Sequence, residues 1–143
     1  MFIGEFRHNL DQKGRLAIPV RYRGRLAEGC VATRGVDQCL TVYPIEVWDK
    51  MAKKLATLPV SQKEARSFVR LMLSGAMLLE LDKQGRMTLP DFLRKYAHLR
   101  KKSVIVGLYD HLEIWDETEW TKFREKTEKE SATLAEKLKE LGV

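Results

Sequence analysis

The chain has 143 residues, 44% of them hydrophobic, with 26 lysines and arginines against 20 acidic residues and a formal net charge of +6. That length suits one ordinary domain or two small units sharing a core, and the apolar fraction is enough for a packed interior. No apolar run reaches the ~18–20 residues of a membrane-crossing helix, and Met1-Phe2-Ile3-Gly4-Glu5 lacks the basic-then-apolar start of a secretory leader, so a cytoplasmic location is expected.

In chain order, the first strand is expected over Phe2–Leu10 and ends at Asp11-Gln12-Lys13-Gly14-Arg15. Asp bonds back to nearby backbone N–H groups and Gly accepts positive φ, so this segment makes a tight turn. Arg15–Ile18 alternates in polarity as a half-buried strand does, and Pro19 opens a short helical segment. Two further strands, Cys30–Thr33 and Cys39–Tyr43, lead to Pro44 and a helix with Val47, Met51, Leu55 and Leu58 on one face. Ser61-Gln62-Lys63-Glu64 reads as a capping box for a second helix whose Ala65, Phe68, Val69 and Met72 share a face and which Gly75 ends.

The order then repeats. Asp11-x-x-Gly14-Arg15-x-x-x-Pro19 returns 71 positions later as Asp82-x-x-Gly85-Arg86-x-x-x-Pro90, and Gly4 and Leu10 match Gly75 and Leu81. Beyond one inserted residue, Gly35, Leu40 and Trp48 match Gly107, Leu112 and Trp120. One structural unit is therefore used twice. The second copy predicts strands at Ala76–Leu81, Arg86–Leu89, Ser103–Val106 and Leu112–Trp115, and a helix capped by Asp116 that buries Trp120 and Phe123. The residues after the two prolines differ in chemistry: Arg21-Tyr22-Arg23 against Phe92-Leu93-Arg94. The expected organisation is a first repeat over 1–60, a connecting helix over 61–75, a second repeat over 76–125, and a charged helical tail over 126–143. In that tail Leu134, Leu138 and Leu141 are in helical register and Glu125 stands four before Lys129.

Charge is uneven. Residues 1–35 hold seven basic side chains against three acidic, whereas 116–143 hold six against eight. The positive excess therefore lies in the repeats, and a basic face of this kind attracts polyanions. No chemistry competes strongly for the same residues. His8, His98 and His111 are scattered, and no close metal-ligand spacing exists. Cys30 and Cys39 sit in apolar contexts and read as small buried hydrophobes. Phosphate-cradling and nucleophile-elbow motifs are absent. Asp11 and Asp82 each precede an arginine by four positions, which keeps a carboxylate ionised rather than shuttling protons. His8 beside Asp11 is a weak dyad whose counterpart is Leu79. No enzymatic activity, catalytic residue, metal, cofactor or small-molecule substrate is expected.

Two readings of the shared Asp-x-x-Gly-Arg remain open on the residues alone. In one, the carboxylate orients a guanidinium fork whose donors suit phosphate or a guanine edge, and two such turns flanked by Lys13, Lys83, Arg7 and Arg21 form a DNA-reading surface. In the other, the arginine only staples the turn.

The doubled motif resembles the MraZ family, whose halves are each similar to the AbrB/SpoVT DNA-binding unit. Gly4-Glu5-Phe6-x-His8-Asn9-Leu10, Thr33-Arg34-Gly35, Leu40-x-Val42-Tyr43-Pro44, Ala65-Arg66-x-Phe68-Val69-Arg70-Leu71, Leu73-Ser74-Gly75-Ala76 and Glu113-Ile114-Trp115-Asp116 carry it further, over residues 1 to about 125. The resemblance implies an α+β fold, mainly β with peripheral helices: a pseudo-twofold swapped-hairpin β-barrel formed by two internal repeats. It also implies a nucleoid-associated transcriptional regulator of the division and cell-wall gene cluster, binding tandem short direct repeats in promoter DNA as a ring-shaped homo-oligomer. Arg15 and Arg86 would contact DNA, with Asp11, Gly14, Asp82 and Gly85 shaping the turns. An alternative is an antitoxin-like scaffold that holds a protein partner and binds DNA without sequence preference.

Overall fold

The computed structural model describes residues 1–143. In chain order the first half supplies β1 (Phe2–Asn9), β2 (Arg15–Ala17), α1 (Val20–Arg23), β3 (Cys30–Arg34), β4 (Leu40–Pro44) and α2 (Ile45–Ala56). After α3 (Lys63–Ser74) the second half supplies β5 (Met77–Leu79), β6 (Arg86–Thr88), α4 (Asp91–Tyr96), β7 (Lys102–Tyr109), β8 (Leu112–Asp116) and α5 (Glu117–Lys129), and α6 (Ser131–Lys137) follows.

The halves interleave. One six-stranded antiparallel sheet runs β1-β7-β8-β4-β3-β5, and β2 and β6 form a separate two-stranded ribbon. β1 thus pairs with a strand of the second half, from Phe2↔Tyr109 to Asn9↔Lys102, and β5 pairs with β3 of the first. The order reads alike from both ends about the β4–β8 contact, as a pseudo-twofold requires. The six-stranded sheet ends at β1 and β5, so its strand order is that of an open sheet.

A single core joins both sheets. Leu16 and Ile18 beside the first turn, Met87 and Leu89 beside the second, and Phe2, Leu40, Ile105, Leu112 and Ile114 of the large sheet are all buried in one cluster. Tyr22 closes it from α1, with its ring edge-on to Phe2 and Phe6 and its hydroxyl donating to the Ile3 carbonyl. On the outer face of the large sheet a smaller cluster of Cys39, Val104, Val106 and Trp115 lies under Trp120 of α5.

The structure corrects three local expectations. Ser61 does not cap α3: Gln62 holds the N-cap position with no side-chain bond, because a turn at Val60–Ser61 intervenes. Gly75 does end α3, at its C-cap position, and leaves room beside it for Arg34, which donates to the Leu71 carbonyl and Ser74 hydroxyl. Trp120 is only half-buried and Phe123 is exposed, because they pack on each other and on Trp115 as the outermost layer of the smaller cluster. The indole N–H of Trp120 donates instead to Glu5 of β1, which Arg124 also holds. In the tail Arg124 pairs with Glu128, where Glu125 and Lys129 were the expected pair, and the helix breaks at Glu130. Leu134, Leu138 and Leu141 remain exposed.

Candidate nucleic-acid interface

Both Asp-x-x-Gly-Arg segments fold into the same turn for the same reasons. Asp11 Oδ1 accepts from the backbone N–H groups of Lys13 (2.9 Å) and Arg15 (2.8 Å). Asp82 Oδ1 does likewise with Gln84 and Arg86, both at 2.9 Å. Gly14 and Gly85 take φ of 80° and 76° and donate back to the carbonyls of Asp11 and Asp82. This left-handed conformation is one that glycine adopts at little cost. Each carboxylate's second oxygen then accepts from the arginine Nε, at 2.6 Å for Arg15 and 2.8 Å for Arg86.

Nε is thereby spent and the flat end of each guanidinium is oriented. Its four Nη donors make no hydrogen bond within the chain, and such a fork matches phosphate or the O6/N7 edge of guanine. The backbone N–H of the arginine, ahead of the guanidinium itself, holds Asp11 and Asp82 below the ordinary carboxyl range against burial, the next largest effect, which acts to raise them. Both stay ionised at any neutral pH. Asp11 has no bond to His8, and its acceptors are taken by Lys13 and Arg15.

Register puts the two arginines on one face. Leu16 pairs with Met87, Arg15 with Thr88 and Ala17 with Arg86. Leu16 and Met87 are wholly buried, so alternation turns Arg15, Ala17, Arg86 and Thr88 outward together. Arg15 and Arg86 are diagonal neighbours across the ribbon, a spacing of roughly 7–8 Å between residues in antiparallel pairs. Their side chains keep 31% and 29% of their exposure. A bonded arginine can thus still meet a ligand.

Each turn is clasped from the opposite half. The Ile18 N–H donates to the Gly85 carbonyl and the Leu89 N–H to that of Gly14. Arg23 Nε donates to the Ile18 carbonyl while its guanidinium lies against Gly85, and Arg94 does the same with the Leu89 carbonyl and Gly14. Tripeptides that differ in chemistry thus share one arginine in register, 71 positions apart like Arg15 and Arg86. That spacing was the available signal for Arg23 and Arg94.

The remaining basic residues separate. Lys13 and Lys83 are exposed at the turn tips, at adjacent but unequal positions, since Gln84 supplies the N–H that matches Lys13. Arg21 is exposed on α1 with its guanidinium 5.6 Å from the Phe6 ring centroid. Arg7 is on the side of β1 that meets α5, 3.1 Å from Glu5 and 3.9 Å from Glu117, so the structure groups it with α5 and not with the ribbon. Cys30 and Cys39 are free and buried, and burial pushes the Cys30 thiol up to about 12. No group of three or more His, Cys, Asp or Glu is placed to hold a metal ion. No helix is long and apolar enough to cross a membrane.

Comparison with known proteins agrees with the doubled architecture. A family model described as "MraZ protein, putative antitoxin-like" matches twice, over residues 1–71 and 72–141. Proteins named "Transcriptional regulator MraZ" align over the whole of both chains, at 46% identity in Halothermothrix orenii, 48% in Desulfitobacterium hafniense and 43% in Natranaerobius thermophilus. Two matches that together span nearly the full sequence, and relatives this close over their full length, show that the chain belongs to the MraZ family.

Proposed function

We propose that this chain is a cytoplasmic, nucleoid-associated transcriptional regulator that reads duplex DNA with the outward face of the β2–β6 ribbon. The observation that carries the reading is the pair of carboxylate-held arginines, Arg15 and Arg86, side by side with free Nη donors. Lys13 and Lys83 at the turn tips add phosphate contacts. The names of the relatives support transcriptional regulation. On this reading the ribbon and the large sheet are the walls of one swapped-hairpin barrel, a view supported by their common core.

One ribbon is a small reading head. The finer form of the proposal is a ring of several copies on tandem short direct repeats upstream of a division and cell-wall gene cluster. Copies held at matching spacing gain ~10²–10⁴ in avidity. The partly exposed apolar side chains Leu58 and Phe68, beside Met51, Leu55 and Met72 in a groove of about 340 Å³, support self-association.

A gel-shift titration on the DNA upstream of the chain's own gene tests this. Arg15→Ala or Arg86→Ala should each weaken binding about tenfold to a hundredfold, at ~1–3 kcal/mol for a base-reading arginine. The double variant should lose the shifted band while keeping its circular dichroism. Unchanged affinity in a folded double variant rejects the site. The same groove also favours a second reading, an antitoxin-like scaffold whose helices hold a protein partner. That reading predicts a stoichiometric partner on pull-down and DNA affinity indifferent to sequence.

A further inference from the structure

The two halves differ in charge beside the first turn. Cys30 pairs with Leu79 and Pro44, as Ser103 pairs with His8 and Asp116, so these two residues are structural counterparts. Between the matched arginine, Arg23 or Arg94, and that counterpart the second half is two residues longer. The first-half segment, Gly24–Gly29, holds Arg25 and Glu28, and Arg25 is tied to Glu46 at 3.3 Å. The second-half segment, Lys95–Lys102, holds Lys95, His98, Arg100, Lys101 and Lys102 and no acid.

This longer loop lies against the first turn. The Leu10 N–H donates to the Lys101 carbonyl at 2.7 Å. Leu10, Asp11 and Gln12 form one wall of a cleft of about 470 Å³, and Arg94, Arg100 and Lys101 form the other. The acid in that cleft, Asp11, is already committed to Arg15. Arg100 is held much as the ribbon arginines are: Nε and Nη2 donate to the two oxygens of Asp116 at 3.2 and 3.0 Å. Asp116 is buried while the Arg100 side chain keeps 67% of its exposure. By strand register Pro44 stands in the place of Asp116, so the first half has no carboxylate at that position. Lys101 and Lys102 are exposed and enter no ion pair.

We propose that Arg100, Lys101 and Lys102 form a phosphate-binding shoulder beside the first turn, so that the reading head holds the duplex backbone more firmly on that flank than on the other. The inference rests on the ribbon being the duplex-reading surface. The shoulder adds affinity without adding sequence preference, because phosphate contacts position the protein on the duplex while base contacts set sequence.

The test uses the full chain on two duplexes, its own upstream DNA and a scrambled sequence of equal length. Lys101→Ala with Lys102→Ala changes only exposed, unpaired side chains. It should weaken binding to both duplexes by about tenfold and lower the slope of log affinity against log salt by about two, one per lost phosphate contact. Arg100→Ala should lower the slope by about one more. An iron chelate tethered through Lys102→Cys, with Cys30 and Cys39 buried, should cut the backbone at the flank of each protected repeat. Wild-type affinity and slope in the double lysine variant, or no cutting from position 102, overturns the shoulder while leaving the ribbon reading intact. Failure of wild-type protein to shift either duplex overturns both.

Discussion

Gly14 and Gly85 show how much one residue can hold in this chain. Each has positive φ, and each lies beneath an arginine from the other half. A Cβ at Gly14 would stand 2.9 Å from Arg94 Cζ and 3.0 Å from the Leu89 carbonyl oxygen, and one at Gly85 would meet the Arg23 guanidinium. Gly14→Ala or Gly85→Ala should therefore cost ~1–3 kcal/mol, from strained backbone and a displaced clasp together. A shift of the urea midpoint at unchanged slope is the measurement. Asp11 and Asp82 make a second prediction, with its sign set by their lowered values. A carboxyl depressed on folding stabilises the native state fully above its ordinary value of 3.8, and that contribution disappears as pH falls through the lower folded value. Asp11→Asn with Asp82→Asn should be less stable than wild type at neutral pH, and the gap should close in acid below 3.8. A gap that stays constant across that range contradicts the assigned ion pairs.

At the scale of elements, the ribbon is short and owes its stability to what lies beneath it. Three residue pairs cannot hold a two-stranded sheet in water. Leu16 and Met87, both fully buried, tie it to the shared core. Leu16→Ala or Met87→Ala should cost ~2–5 kcal/mol and unfold the ribbon with the rest of the chain, measured by denaturant melts. What was readable in the sequence follows the same division. The hairpin turns were legible because Asp and Gly encode them within five residues, and the ribbon strands because alternation marks their buried face. Depth was not legible. Helical spacing gives the face of α5 but not how far it reaches over the sheet, so Trp120 and Phe123 read as buried. Ser61 read as a cap because its side-chain chemistry fits, whereas the chain path through Val60 decides where α3 begins. The clasp by Arg23 and Arg94 joins residues about 60–80 apart, and nothing in either segment's local pattern requires it. Resemblance supplied the expectation of swapped hairpins that periodicity could not, since β1 alternates identically whichever strand it joins.

For the whole molecule, interleaving makes the halves one folding unit although the sequence writes them as two. All eight residues of β1 pair with β7 of the second half, and β5 has its pairing on β3 of the first. Either half alone would expose an unpaired strand and half of the common core. Unfolding should therefore be a single transition, and the tryptophans allow it to be seen from both sides. Trp48 lies on α2 in the first half, 5.8 Å from Tyr43, whereas Trp115 and Trp120 pack edge-on in the second at 5.4 Å. Trp48→Phe leaves fluorescence reporting only the second half, and Trp115→Phe with Trp120→Phe leaves it reporting only the first. Each variant has its own stability, so the comparison is made within a variant, between fluorescence and far-ultraviolet circular dichroism. In both, the two urea curves should superimpose. If fluorescence from one half moved ahead of the dichroism, that half could lose its structure while the other kept its own. The swapped pairing of β1 with β7 and β5 with β3 forbids this, because each of those ladders draws one strand from either side of residue 71.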